Sequence, residues 1–135
     1  MLTGSAPVLL VRDVVAAAEY YRDRLGFHYD QFWGDPPSFV ILHRDNYSVM
    51  LQRVEDPAKV VPNWTVVHNM WDIYFWVDDV DAAYAEMQER GATIDYTLCT
   101  QPYGCREFGV QDLDGHDIAF GQVIEQKGDQ NTGDA

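Results

Sequence analysis

Positive charge is scarce in this chain: nine Lys and Arg stand against 22 Asp and Glu in 135 residues, a formal net charge of −13. That deficit argues against nucleic acid as a partner, because phosphate backbones demand a basic footprint, and it reads either as a solubilising acidic surface or as one that favours cationic partners. Long apolar runs are also missing. No segment reaches the roughly 18 to 20 apolar residues that cross a bilayer, so no membrane partner is expected. The first residues lack a charged stretch running into an apolar core, the mark of a secretory signal, and a cytoplasmic location is the expectation. Cysteine is limited to Cys99 and Cys105, and in a reducing compartment both are read as thiols. The triplets Asn46-Tyr47-Ser48 and Asn63-Trp64-Thr65 are then not expected to carry glycan. The four histidines, His28, His43, His68 and His116, lack the close paired spacing of metal ligands.

What the chain does contain is a repeat. "VRDVVAAAEYYRDRLGF" (Val11 to Phe27) returns as "VDDVDAAYAEMQERGATI" (Val77 to Ile94), with Asp13, Val14, Ala17 and Arg24 matching Asp79, Val80, Ala83 and Arg90. A hydrophobic content of 47% is ordinary, and a chain of this length buries roughly two thirds of its unfolded surface as one domain. A single domain over 1–135, built from two related halves, is the expectation.

Periodicity fills in the halves. "APVLLV" (Ala6 to Val11) predicts a buried strand, and Asp13 suits a helix N-cap. Val14, Ala17, Ala18, Tyr21 and Leu25 recur at helical spacing until Gly26 stops the helix. Strands are predicted over Phe27–Trp33, Ser38–Arg44 and Tyr47–Val54, with Asp45-Asn46 as a two-residue hairpin turn. Residues 55–70 carry two prolines and no firm period, and read as a linker. The second half predicts a strand over Trp71–Val77, a cap at Asp79 and a helix burying Val80, Ala83, Tyr84 and Met87. Strands over Thr93–Leu98, Cys105–Asp112 and His116–Val123 follow, with Asp112-Leu113-Asp114-Gly115 as a turn. The expected organisation is a βαβββ module over 6–54, a linker over 55–70, a second module over 71–124 and a disordered tail over 125–135.

Two tandem βαβββ modules, each opening "V-x-D-V" into a helix that closes near "R-x-G" or "R-L-G", with "DLDGHDIAF" near the end, resemble the vicinal oxygen chelate superfamily of glyoxalases, bleomycin resistance proteins and extradiol dioxygenases. The resemblance covers about residues 6–124. It implies an α+β fold in which two curved sheets enclose a cleft. Enzymes of that family hold a divalent metal with one residue on the first and one on the last strand of each module. The matching positions here are Ala6, Met50, Asp72 and Ala119, of which only Asp72 offers an oxygen donor, and a lone carboxylate would hold such a metal only weakly. No metal and no cofactor is therefore expected. "APVLLVRD", "WDIYFWVDDV" and "YGCREFGVQDLDG" look like the metal-free, bleomycin-resistance branch, which implies a homodimer that binds and sequesters an antibiotic in shared clefts.

Strand alternation tests which side chains such a cleft would hold. With the metal positions facing inward, Ala6, Val8 and Leu10 join Phe39, Ile41, His43, Ser48, Met50 and Gln52 on one face. Asp72, Tyr74 and Trp76 join Glu107, Gly109, Gln111, Asp117, Ala119 and Gly121 on the other. The expected ligand-binding set is Trp33, Phe39, His43, Met50, Trp64, Asp72, Tyr74, Trp76, Tyr103, Glu107 and Asp117, an aromatic and acidic lining suited to a planar cation. Trp33, Trp64 and Trp71 serve alternatively as dimer-interface anchors. Cys105 is expected near His116 in the hairpin register, but without a third orienting group for nucleophilic catalysis. The expected function is sequestration of a cationic aromatic small molecule. The alternative is a metal-independent acid–base lyase or isomerase using Asp72 or Glu107.

Overall fold

Each half of the repeat builds a four-stranded sheet with one helix across it. The computed structural model describes residues 1–124; the tail expected over 125–135 lies outside the described residues. The first half contains β1 (Val8–Val11), α1 (Val14–Leu25), β2 (Phe32–Trp33), β3 (Phe39–Arg44) and β4 (Tyr47–Arg53), in sheet order β1-β4-β3-β2. The second contains β5 (Ile73–Trp76), α2 (Val80–Arg90), β6 (Thr93–Thr100), β7 (Cys105–Gln111) and β8 (Asp117–Val123), in order β5-β8-β7-β6. In both, the opening strand runs parallel to the closing one and the other pairings are antiparallel.

The local signals act as their chemistry requires. Asp13 accepts hydrogen bonds from the amides of Val15 and Ala16 at 3.1 Å, and Asp79 from that of Ala82 at 3.1 Å, contacts worth about 1 kcal/mol per cap. Gly26 (φ 76°) and Gly91 (φ 79°) end the helices in the left-handed region that only glycine enters freely. Asp45 (φ 51°) and Asn46 (φ 75°) make the two-residue turn, which sets the register Phe39 opposite Gln52, Ile41 opposite Met50 and His43 opposite Ser48. Leu9, Val11, Val40, Leu42, Val49 and Leu51 are buried, as are Ile73, Phe108, Val110, Ile118 and Phe120, and all belong to one apolar cluster with the helix stripes.

Three expectations need correction. The strand predicted over Phe27–Trp33 shrinks to Phe32–Trp33 and an isolated bridge between His28 and His43, because Tyr29 leaves the ladder to pack against Phe32 and Arg22. β1 starts at Val8, since Pro7 has no N–H to donate and contributes only its carbonyl, to Met50 N at 2.9 Å. Cys105 is not near His116: it pairs with Val123 at one end of the β7–β8 hairpin, whereas His116 sits at the turn opposite Asp112. Antiparallel pairing sends the two residues to opposite ends. The 55–70 stretch, read as a linker, holds two short 3₁₀ turns, Pro57–Lys59 and Asn63–Thr65.

The β7–β8 turn joins the two sheets. Asp112 Oδ1 accepts from the amides of Asp114 and His116, both at 2.9 Å, and its Oδ2 accepts from the fully buried Tyr21 hydroxyl at 2.8 Å. Asp114 accepts from Arg12 N at 2.9 Å and Arg12 Nη1 at 3.0 Å. His116, 4% exposed, has Nε2 2.7 Å from the Leu10 carbonyl oxygen and Nδ1 3.7 Å from Asp72 Oδ1. At that distance the Asp72 contact is an ion pair, not a hydrogen bond. Burial opposes the imidazolium, but Asp72, Asp112 and the Leu10 carbonyl outweigh it and raise its pKa to about 9. With Nδ1 buried and lacking a hydrogen-bond partner, His116 is held towards its charged form by these acceptors and clamps β1 to the second module through Nε2. On the helix side, Arg44 donates to the Leu25 carbonyl at 2.7 Å and to both Glu86 oxygens at 2.7 and 3.1 Å.

Candidate functional site

A cleft of about 600 Å³ opens on the second sheet and takes its lining from residues between Asn69 and Asp117. Its centre is Glu107, on β7 and fully buried. Three phenols converge on it: Tyr74 from β5 and Tyr103 from the β6–β7 loop each donate to Oε1 at 2.8 Å, and Tyr96 from β6 donates to Oε2 at 2.7 Å. Burial and the Glu107 carboxylate together push all three phenols well above their ordinary pKa, so they stay protonated. Trp71 Nε1 donates to the Tyr96 oxygen at 3.0 Å.

Two glycines make this arrangement fit. The Tyr96 ring lies across Gly109, and the Tyr74 hydroxyl lies against Gly121; a Cβ at either position would collide with the tyrosine. Gly109 stands beside Tyr96 in the β6–β7 ladder. The same ladder shifts register on both sides of Tyr96, and such irregularities re-aim side chains next to sites.

The phenol and indole donors in this cleft are engaged internally. Each phenolic proton points at Glu107 and the Trp71 N–H at Tyr96, leaving phenolic oxygen lone pairs free to accept. Asp95 and Asp117 also line the cleft, with no Lys, Arg or His among the described lining residues. Asp117 is 3% exposed, and its Oδ1 has no hydrogen-bond partner. Burial, then the charge of Asp95 and a hydrogen bond shared with its carboxyl, and then the charge of Asp72, raise its pKa to about 7. Cys99 lines the cleft as well, and its thiol is raised by burial and by Glu107, the opposite of what an activated nucleophile needs. Both cysteines are free thiols.

The expected site residues divide into separate groups. Tyr74, Tyr103, Glu107 and Asp117 come together here. Phe39, His43 and Met50 lie on the first sheet and do not reach this cleft; His43 Nδ1 meets Ser48 Oγ at 3.0 Å, and Trp33 packs edge-on against Phe39 at 5.8 Å. Val8 and Leu10 on that face are 56% and 40% exposed. Asp72 is withdrawn from the cleft. Its oxygens accept from the amides of Asn63 at 3.0 Å and Asp117 at 2.8 Å. Although burial opposes its charge, those bonds and His116 hold its pKa below the usual range. Trp64 donates to the Gly115 carbonyl at 2.6 Å and pins the 3₁₀ turn to the β7–β8 turn. Trp76 is 71% exposed and borders a different hollow of about 480 Å³ with Arg44 and Tyr47, although its ring packs against Tyr74 at 5.3 Å.

Alternation alone did not find Tyr96 or Asp95, because the register shifts of β6 break the alternating rule there. The signal that was present was glycine within the apolar strands at 109 and 121, which marks a close approach by another group.

The positions equivalent to family metal ligands do not fit one. Met50 stands opposite Val8 and Ala119 opposite Tyr74, a thioether and a methyl, and Asp72 is engaged with backbone. Among the described residues no three His, Cys, Asp or Glu side chains converge as a metal-binding group.

Comparison with known proteins bears on the whole chain. No curated protein matches its sequence. The structure is similar to that of TioX from Micromonospora sp. ML1, with TM-score 0.71, 24% identity, and coverage of 90% of this chain and 99% of that one. It is also similar to the bleomycin-binding protein of bleomycin-producing Streptomyces verticillus, solved with copper(II)-bleomycin, with TM-score 0.65, 26% identity, and coverage of 93% and 98%. TnmS3, an antibiotic binding protein from Streptomyces sp. CB03234, aligns with TM-score 0.65 at 23% identity over 91% and 98%. The model of the glyoxalase/bleomycin resistance protein/dioxygenase superfamily matches residues 5–120, and with the duplicated βαβββ sheets this establishes that the chain belongs to that superfamily.

Proposed function

We propose that the protein binds and sequesters a cationic, partly planar small molecule, such as a bleomycin-like antibiotic, without a metal and without turnover. The observation that carries this reading is the cleft's polarity. Aromatic faces from Trp71, Tyr96 and Tyr103 sit beside Asp95, Glu107 and Asp117, and no cationic side chain is among the described lining residues. Stacking and cation–π contacts, about 0.5 to 2 kcal/mol each, suit a planar cation, and the antibiotic-binding relatives point the same way. The exposed apolar face of β1 supports a homodimer in which a second copy covers it, expected as a dimer by sedimentation at micromolar concentration. The proposed location is the cytoplasm.

Trp fluorescence titrated with bleomycin and a panel of cationic intercalating compounds tests the reading. Tight binding, weakened by salt, with every compound recovered unchanged, is the expected result; no binding across the panel sinks it. Elemental analysis of protein purified without chelator should find no stoichiometric transition metal. One observation favours a second reading: an unpartnered carboxyl at Asp117 with pKa about 7 has the properties of a general base. Turnover of a panel compound, abolished by Asp117→Asn, would establish the metal-independent acid–base enzyme instead.

A further inference from the structure

Asp117 presents a specific problem of satisfaction. Its backbone amide is bonded to Asp72 Oδ2 at 2.8 Å, yet its own carboxyl Oδ1 is buried with no partner, and the residue borders the cleft. A buried acceptor without a donor is unfavourable unless something supplies one. The groups around it do not. Asp72 from the segment before β5 is acidic, and Asp95 from β6 can hydrogen-bond to Asp117 only through a proton the two carboxyls share. Glu107 from β7 is acidic, and the Tyr96 and Tyr103 protons are directed to Glu107. The neighbouring His116 points its Nε2 at Leu10, and its Nδ1 faces Asp72 Oδ1 at 3.7 Å with no hydrogen-bond partner of its own. Apart from that shared proton no donor lies within hydrogen-bond distance of Asp117 Oδ1, and two carboxyls at 95 and 117 call for a charged one.

We propose that the Asp95–Asp117 corner of the cleft seats a protonated primary amine of the ligand, its ammonium donating to Asp117 Oδ1 and to the Asp95 carboxylate. This rests on the binding role proposed for the cleft and narrows it. The ligand carries an ammonium at one end of its aromatic surface, because Trp71 and Tyr96 lie beside the same corner. Seating the ammonium drives Asp117 fully into its carboxylate form, so wherever the free protein holds a proton there, that proton passes to solvent on binding. A neutral or anionic planar compound gains nothing from this corner.

The test uses two probes: 9-(aminomethyl)anthracene and its N-acetyl derivative, which keeps the ring and loses the charge. Calorimetry at pH 6 in two buffers of different ionisation enthalpy should show the amine binding at least about tenfold more tightly than the acetyl compound, with close to one proton released per amine bound. Asp117→Asn should remove both the preference and the proton release, and an unchanged urea-unfolding midpoint and Trp emission spectrum for the variant report that the cleft is intact. Asp95→Asn, at an exposed position, should reduce the preference without risk to the core. Equal affinity for the two probes, no proton release at pH 6, or a preference that survives in both variants overturns the proposal. Failure of both probes while bleomycin or other panel cations bind overturns the amine seat alone and leaves the binding role standing. Failure of every compound removes both.

Discussion

Replacing His116 by Gln removes the buried cation between β1 and the second module while keeping an amide donor for the Leu10 carbonyl. In the folded chain the imidazolium titrates at about 9, against 6.5 for an unperturbed histidine. A pKa raised on folding contributes stability that is complete below the unfolded value and lost as pH rises through the folded one. At roughly 1.4 kcal/mol per pH unit, the gap corresponds to about 3 kcal/mol, present at pH 6 and gone above pH 9. Asp117, also raised, loses its contribution at lower pH, between about 4 and 7, and does so equally in wild type and variant. Urea unfolding followed by tryptophan fluorescence at pH 6, 7.5 and 9.5 isolates the His116 contribution as the difference between the two proteins. That difference should be about 3 kcal/mol at pH 6 and shrink steadily towards pH 9.5. Two stability curves that stay parallel across this window would refute a charged His116 at the junction.

Glu107→Gln leaves one acceptor oxygen for three phenolic donors, so it should cost about 1 to 3 kcal/mol in urea unfolding. In alkaline spectrophotometric titration, wild type should hold Tyr74, Tyr96 and Tyr103 protonated beyond the range of ordinary tyrosines, whereas Glu107→Gln should release them at lower pH. Gly121→Ala places a Cβ against the Tyr74 hydroxyl; a loss of about 1 to 3 kcal/mol is expected, and unchanged stability would show that Tyr74 is not held there. Arg44→Met breaks the paired contact to Glu86 and the bond to the Leu25 carbonyl. With both side chains about a third exposed, screening limits the loss to about 1 kcal/mol in thermal or urea unfolding.

The alternation of apolar residues, the capping aspartates and the stopping glycines determined the two-module α+β fold from the sequence alone. These are local signals: Asp13 and Asp79 cap through amides two or three residues away, and Asp45-Asn46 turns the chain within its own four residues. Alternation along the strands also placed Tyr74, Glu107 and Asp117 on one face, since side-chain direction follows from the pleat. The tertiary structure alone decided which of those side chains meet. Asp72 and Glu107 look equivalent in sequence, yet one is engaged by the amides of Asn63 and Asp117 while the other gathers three phenols. Tyr96 reaches Glu107 only through the register shifts of β6, and His116 becomes a cation only because Asp72 and Asp112 are folded around it. Partners so distant in sequence leave no local pattern, and hydrogen bonding and charge depend on distances that exist only once the sheets are assembled.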